Sequence, residues 1–166
     1  DVSNSEERNV LRSSAILGFC PQFDALYESL TVMEHFALWN SCLSGEIESR
    51  ELTRELAEAV GLGNYLHVHS SKLSGGNKRK LSIALALLGA PDVVLLDEPS
   101  TGVDVAARRV IWNLLHGFRE HAAILLSTHS MEEATAISDR IVVVVKGKVA
   151  ADGTVAELQQ KHGDGF

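Results

Sequence analysis

The chain has 166 residues, 45% of them hydrophobic, which is enough for one globular domain with a sizeable core or for most of a larger one. Lys and Arg number 15 against 22 Asp and Glu, a formal net charge of -7, so the sequence lacks the basic footprint of a protein that binds bulk nucleic acid, and any phosphate is met locally. The two cysteines, Cys20 and Cys42, match no metal spacing and are too few for a disulfide framework, which suits a reducing compartment; no apolar run approaches the roughly 20 residues that span a bilayer, so a membrane role requires a partner segment.

Residues Asp1 to Arg12 are polar and start without an initiator methionine, as expected of a piece cut from a longer chain. Ala15 to Cys20 reads as a short strand, broken by Pro21-Gln22-Phe23-Asp24. From Thr31 the spacing of Val32, Phe36, Leu38, Trp39 and Leu43 predicts a helix of about three turns, with Thr31 as N-cap and Glu34 as its capping-box partner. A second helix is expected over Glu48 to Val60, with Leu52, Leu56, Ala59 and Val60 on one face, ended by Gly61-Leu62-Gly63. A polar linker through His67, His69 and Ser70 leads to a longer helix after Leu73-Ser74-Gly75-Gly76, carrying Leu81, Ile83, Ala84, Leu85, Leu87 and Leu88 and stopped by Gly89-Ala90-Pro91. Strand and helix then alternate: strand Val93 to Leu96, helix Val105 to Phe118, strand Ala122 to Ser127, helix Ser130 to Ile137 and strand Ile141 to Val145. Lys146-Gly147-Lys148 reads as a tight turn into a short antiparallel strand, and Val155 to Lys161 as a last helix.

Chemistry concentrates at two places. The run Val93-Val94-Leu95-Leu96 ends abruptly in Asp97 and Glu98, which reads as a strand buried on both faces that delivers two carboxylates to its tip, the end at which open α/β sheets bind ligands. An ordinary strand-to-loop junction has the same pattern. Ser74-Gly75-Gly76 before a helix is either a phosphate seat, where glycine lets the backbone approach and the helix N-terminus offers N–H groups, or a flexible turn with a serine N-cap.

Taken in order, Gln22 after a strand, Leu73-Ser74-Gly75-Gly76-Asn77, Val94-Leu95-Leu96-Asp97-Glu98-Pro99, Ser100-Thr101-Gly102-Val103-Asp104 and Thr128-His129 resemble the nucleotide-binding domain of an ATP-binding cassette (ABC) transporter. Cys20-Pro21-Gln22-Phe23-Asp24-Ala25, Gly75 to Ser82, Thr128 to Glu133 and the ending Gly163-Asp164-Gly165-Phe166 look like the A subfamily, whose members mostly move lipids, and Asn77-Lys78-Arg79-Lys80 looks more like its second cassette than its first. The resemblance implies an α/β fold, a P-loop NTPase-type parallel sheet core truncated at its N-terminus, with an inserted α-helical subdomain over about 24–90 that includes the signature helix and a C-terminal α/β core over 91–166.

It also implies roles. Asp97 would belong to the Mg²⁺ shell, Glu98 would be the general base that orients the attacking water, His129 would contact the γ-phosphate, and Gln22 would sense both Mg²⁺ and the water. Ser74, Gly75 and Gly76 would touch ATP held by a second nucleotide-binding domain in a head-to-tail pair, with Asp104 bridging the pair. The implied partners are that second domain and the transmembrane domains of the same transporter, at the cytoplasmic face of a membrane, with no nucleic acid. One departure stands out: the P-loop pattern G-x-x-x-x-G-K-[ST] occurs nowhere in these 166 residues, and the family places it upstream of Gln22. The fragment alone is therefore expected to be inactive, with apolar sheet edges exposed.

A soluble ABC ATPase acting on ribosomes or DNA shares these motifs, although only 51 positions separate Gln22 from Leu73, too few for the long coiled-coil insertion of the DNA-repair type. A truncated, non-hydrolysing cassette is a third reading. The remaining conspicuous residues are expected to be ordinary: His67 and His69 in a linker, Trp39 and Trp112 in the core, Arg108 and Arg109 at the surface, and Lys78, Arg79 and Lys80 on a solvated face or against ATP across the pair.

Overall fold

Short aliphatic runs separated by helices long enough to cross a sheet favour parallel pairing, and the strands pair that way. The computed structural model describes residues 17–43 and 50–162. The expected features at Asp1 to Ile16, at Glu48 and Ser49, and at Gly163 to Phe166 lie outside the described residues. The chain divides after Ser127 into two compact units.

In the first unit β1 (Leu17–Cys20), β2 (Val93–Asp97) and β3 (Ala123–Ser127) form a parallel sheet with β2 in the middle. Phe19 lies opposite Leu95, Leu95 opposite Leu125, and Asp97 opposite Ser127. Aligned partners share a face, so Gly18, Cys20, Val94 and Leu96 point one way while Leu17, Phe19, Val93, Leu95 and Leu125 point the other. The first face is buried. The second corrects the expectation that Val93 to Leu96 is covered on both sides: Val93 and Leu95 are half-buried, and Leu17, Phe19 and Leu125 are 57%, 58% and 68% exposed. Within this unit the helix over Gly75–Leu87 packs against β1 and β2.

The helix α1 (Val32–Leu43) starts at the expected capping box: the Thr31 backbone N–H donates to Glu34 Oε2 at 2.7 Å and the Glu34 N–H to Thr31 Oγ1 at 3.2 Å. These bonds hold the Glu34 carboxyl below the usual carboxylate range. Next comes α2 (Arg50–Ala59), closed by Gly61 at φ 70° with its N–H on the Glu58 carbonyl and the Leu62 N–H on the Ala57 carbonyl, a Schellman pair.

The polar linker expected through His67, His69 and Ser70 is part of a stretch, 62–73, that folds into the core. Leu62, Leu66, Ser70 and Leu73 are buried around short 3₁₀ turns at Gly63–Tyr65 and Ser70–Lys72. Its carbonyls at Val68 and Leu66 accept from the Val32 and Met33 N–H groups, donors that the first turn of any helix leaves without an intrahelical partner.

The central helix is α3 (Gly75–Leu87), buried on all sides from Arg79 through Leu87 and packed against α1, α2, β1, β2 and α4 (Val105–Phe118). A helix apolar all round has to sit inside. Its close approach to the sheet depends on Gly18, where a Cβ would fall 2.0 Å from the Ala86 carbonyl oxygen.

In the second unit, α5 (Met131–Ile137) precedes an antiparallel pair, β4 (Ile141–Val145) and β5 (Lys148–Gly153), and α6 (Val155–His162) follows. The turn between the strands has Lys146 at φ 50° and Gly147 at φ 74°, the two positive values a tight right-twisted hairpin requires. Ala134, Ile141 and Leu158 form its core. Arg140 grips Asp152 with two bonds, from Nε at 2.8 Å and Nη2 at 2.9 Å. Among the described residues no helix is long and apolar enough to cross a membrane.

Candidate functional site

The parallel sheet brings the ends of β1, β2 and β3 to one edge, so Gln22, Asp97, Glu98 and Ser127 gather there. Register places Asp97 opposite Ser127 on the open face, and the Ser127 hydroxyl donates a short hydrogen bond to Asp97 Oδ1. The same hydroxyl accepts from the Glu98 N–H at 3.2 Å, which also reaches the Ser127 carbonyl at 3.1 Å. Thr101 Oγ1 donates to Glu98 Oε2 at 2.9 Å, which restrains the carboxylate. Asp97 is exposed and Glu98 half-exposed, so both face ligand-accessible space. An exposed, pre-oriented carboxylate suits Mg²⁺, which takes one or two protein carboxylates when phosphates supply the remaining oxygens.

Glu98 adopts φ 51°, a left-handed conformation that costs a non-glycine residue on the order of 1–3 kcal/mol. The carbonyls around this bend are bonded to Arg79. This residue is 3% exposed, with its guanidinium bonded inside the protein, which corrects its expected place on a solvated face or against ATP across the pair; Lys80, at 9%, is likewise not on a solvated face. Arg79 Nη2 donates to the Asp97 carbonyl at 2.7 Å and the Glu98 carbonyl at 3.0 Å, and Nε to the Pro99 carbonyl at 2.9 Å. Nη1 reaches the Pro21 carbonyl at 2.6 Å, the Gln22 carbonyl at 3.2 Å and Asp24 Oδ1 at 3.3 Å. The sequence did carry a signal: Arg79 lies three and four residues before Ser82 and Ile83, in a helix whose apolar residues leave no polar stripe. Beside it, burial pushes the Cys20 thiol up to about 11 against the opposing pull of the Arg79 charge.

A second cluster forms where the N-termini of α3 and α4 meet. Ser74 caps α3, accepting the Asn77 N–H at 3.2 Å, and Asp104 caps α4, accepting the Ala107 N–H at 2.8 Å. They meet at Gly76, where a Cβ would sit 3.4 Å from Ala107 Cβ and 3.9 Å from Asp104 Oδ2. Ser74 and Gly75 are exposed, leaving the end of α3 open to an anion. Burial lowers the Lys80 pKa, opposed by the Asp104 charge.

His129 is an exposed residue of the second unit, just before Ser130, which caps α5 by accepting the Glu133 N–H at 3.3 Å. His69 Nδ1 donates to the Ser29 carbonyl at 2.8 Å, a structural use. Trp39 is half-buried against Tyr27 and His35 rather than fully in the core, and Trp112 is half-buried with the Arg108 guanidinium 6.0 Å above its ring; Arg109 is exposed.

Residues 2–101 match the family described as ABC transporter. The retinal-specific phospholipid-transporting ATPase ABCA4 of Bos taurus is 45% identical over 152 residues, covering 90% of this chain. ATP-binding cassette sub-family A member 2 of Homo sapiens is 40% identical with 96% of the chain covered, and ABC transporter A family member 9 of Arabidopsis thaliana 39% identical with 95% covered. The chain spans 7% of the length of the first two and 18% of the third.

Proposed function

Since this chain belongs to the ABC transporter family, we propose that it is the part of a nucleotide-binding domain that carries the catalytic base, in an A-subfamily transporter that spends ATP to move lipid. The observation that supports this most is the tip of β2, where Asp97 is oriented by Ser127 and the Glu98 backbone is held in a left-handed bend at the sheet's carboxyl edge. Phosphoryl transfer asks for positioning and charge neutralisation more than for covalent chemistry, and this edge is built for both.

In this reading Asp97 would hold Mg²⁺, which would supply charge neutralisation to the phosphates. Glu98 orients the attacking water and takes its proton on the carboxylate as the oxygen bonds to the γ-phosphorus and the bond from that phosphorus to the bridging oxygen breaks, releasing ADP. Gln22 senses the same water, and His129 contacts the γ-phosphate. Ser74, Gly75 and Gly76 offer the open end of α3 to ATP held by a second nucleotide-binding domain, and Asp104 lies at that junction. The transmembrane domains of the same transporter are the other partner, which puts this domain on the cytoplasmic face of the membrane. The phospholipid transport of the Bos taurus relative supports the lipid class, and Asn77-Lys78-Arg79-Lys80 supports the second cassette. The P-loop that cradles the phosphates is not among these 166 residues, so alone they bind ATP weakly and do not hydrolyse it.

Glu98→Gln in the full-length transporter tests the base. ATP stays bound while turnover falls by about 10²–10⁴-fold. Near-normal ATPase rates would remove Glu98 from this role.

A further inference from the structure

Successive carbonyls along an extended strand point in opposite directions, yet those of Asp97, Glu98 and Pro99 all turn to one guanidinium. The bend at Glu98, φ 51°, is what allows it. The other edge of the same group holds the Pro21 and Gln22 carbonyls and the Asp24 carboxylate. Arg79 thus joins two loops that lie far apart in sequence, from a helix that cannot yield because it is buried on every side.

We propose that Arg79 is the positioning residue of this site: by binding three consecutive carbonyls it fixes the bend that aims the Glu98 carboxylate, and by binding Pro21 and Gln22 it keeps Gln22 in register with that carboxylate. This rests on Glu98 being the base. Arginine suits the task because its planar fork offers five N–H donors in two directions, with Nη1 sharing one among its three acceptors. A lysine ammonium keeps the charge but has three donors at one point, so it cannot serve both loops. The Asp24 carboxylate also accepts from Ser82 Oγ at 3.1 Å, which ties the Gln22 side back to α3 independently of Arg79.

The test uses the full-length transporter. Arg79→Lys is expected to lower kcat at least about tenfold while KM for ATP moves less than about threefold, because the loss falls on the transition state and not on nucleotide binding. In the Glu98→Gln background the same change should leave both ATP retention and the residual turnover where Glu98→Gln alone puts them, since the carboxylate that Arg79 aims, and with which it keeps Gln22 in register, is gone. Three results would overturn the proposal: unchanged kcat in Arg79→Lys, an undiminished further loss when it is added to Glu98→Gln, or loss of ATP retention together with turnover, which would make Arg79 a residue of folding only. Normal turnover in Glu98→Gln alone would take away the base, and the positioning of it with it, and is read from that single variant.

Discussion

Replacing Ser127 by alanine removes one hydroxyl and with it the only side-chain donor described on Asp97 Oδ1. The Glu98 N–H keeps its bond to the Ser127 backbone carbonyl at 3.1 Å, so the bend itself survives and the change falls on the carboxylate of Asp97. A hydrogen bond to a charged group contributes about 1.5–3 kcal/mol net, and the exposure of both side chains puts this one at the low end. At about 1.4 kcal/mol per factor of ten, that is roughly tenfold in affinity for whatever Asp97 holds. Removing the partner that orients a metal ligand costs about 10–100-fold by an independent measure, so the two figures meet near tenfold. The assay is ATPase rate against free Mg²⁺ at saturating ATP in the full-length transporter. Half-saturating Mg²⁺ should rise about tenfold in Ser127→Ala and stay put in Ser127→Thr, which keeps the hydroxyl. An unchanged Mg²⁺ dependence in Ser127→Ala, or an equal shift in both variants, would refute the assignment of Asp97 to the metal.

Alkylation separates the two cysteines: the Cys20 thiol is buried and raised to about 11, so at about pH 8 it is un-ionised and iodoacetamide should label exposed Cys42 first, with Cys20 reacting only after denaturation. Equal rates under native conditions would show that Cys20 is not shielded by α3. Isothermal titration of the isolated 166-residue chain with Mg-ATP should give no micromolar binding, because the P-loop pattern is absent from its sequence; a micromolar isotherm would refute the dependence of this site on that loop.

The two faces of the sheet differ in cover. Helices cover the side bearing Cys20, Val94 and Leu96, while Leu17, Phe19 and Leu125 stand exposed on the side that carries Asp97 and Ser127. An open apolar face next to hydrophilic chemistry is a surface on which further polypeptide gains burial energy, about 25 cal/mol for each Å² it covers.

Local order was legible in the sequence. Apolar runs and their stops located β2, α3 and α4 closely; Thr31 and Glu34 announced the cap of α1; Lys146-Gly147 announced the hairpin turn. The motif order also led to the ABC transporter family, and it brought Asp97 and Glu98 to a strand tip because side-chain period and breaker residues are properties of neighbouring positions. What only the tertiary structure decided is which faces are covered and which distant groups meet. Leu62, Leu66 and Leu73 join the apolar cluster of α1 and α3 while the Leu66 and Val68 carbonyls accept from the first turn of α1, one face of the sheet is covered by α3, and Arg79 is buried where carbonyls 18 and 58 positions away turn toward it. Periodicity assigns a residue to a face of its own element; the partner of that face is set by chain closure over distances that no local pattern encodes.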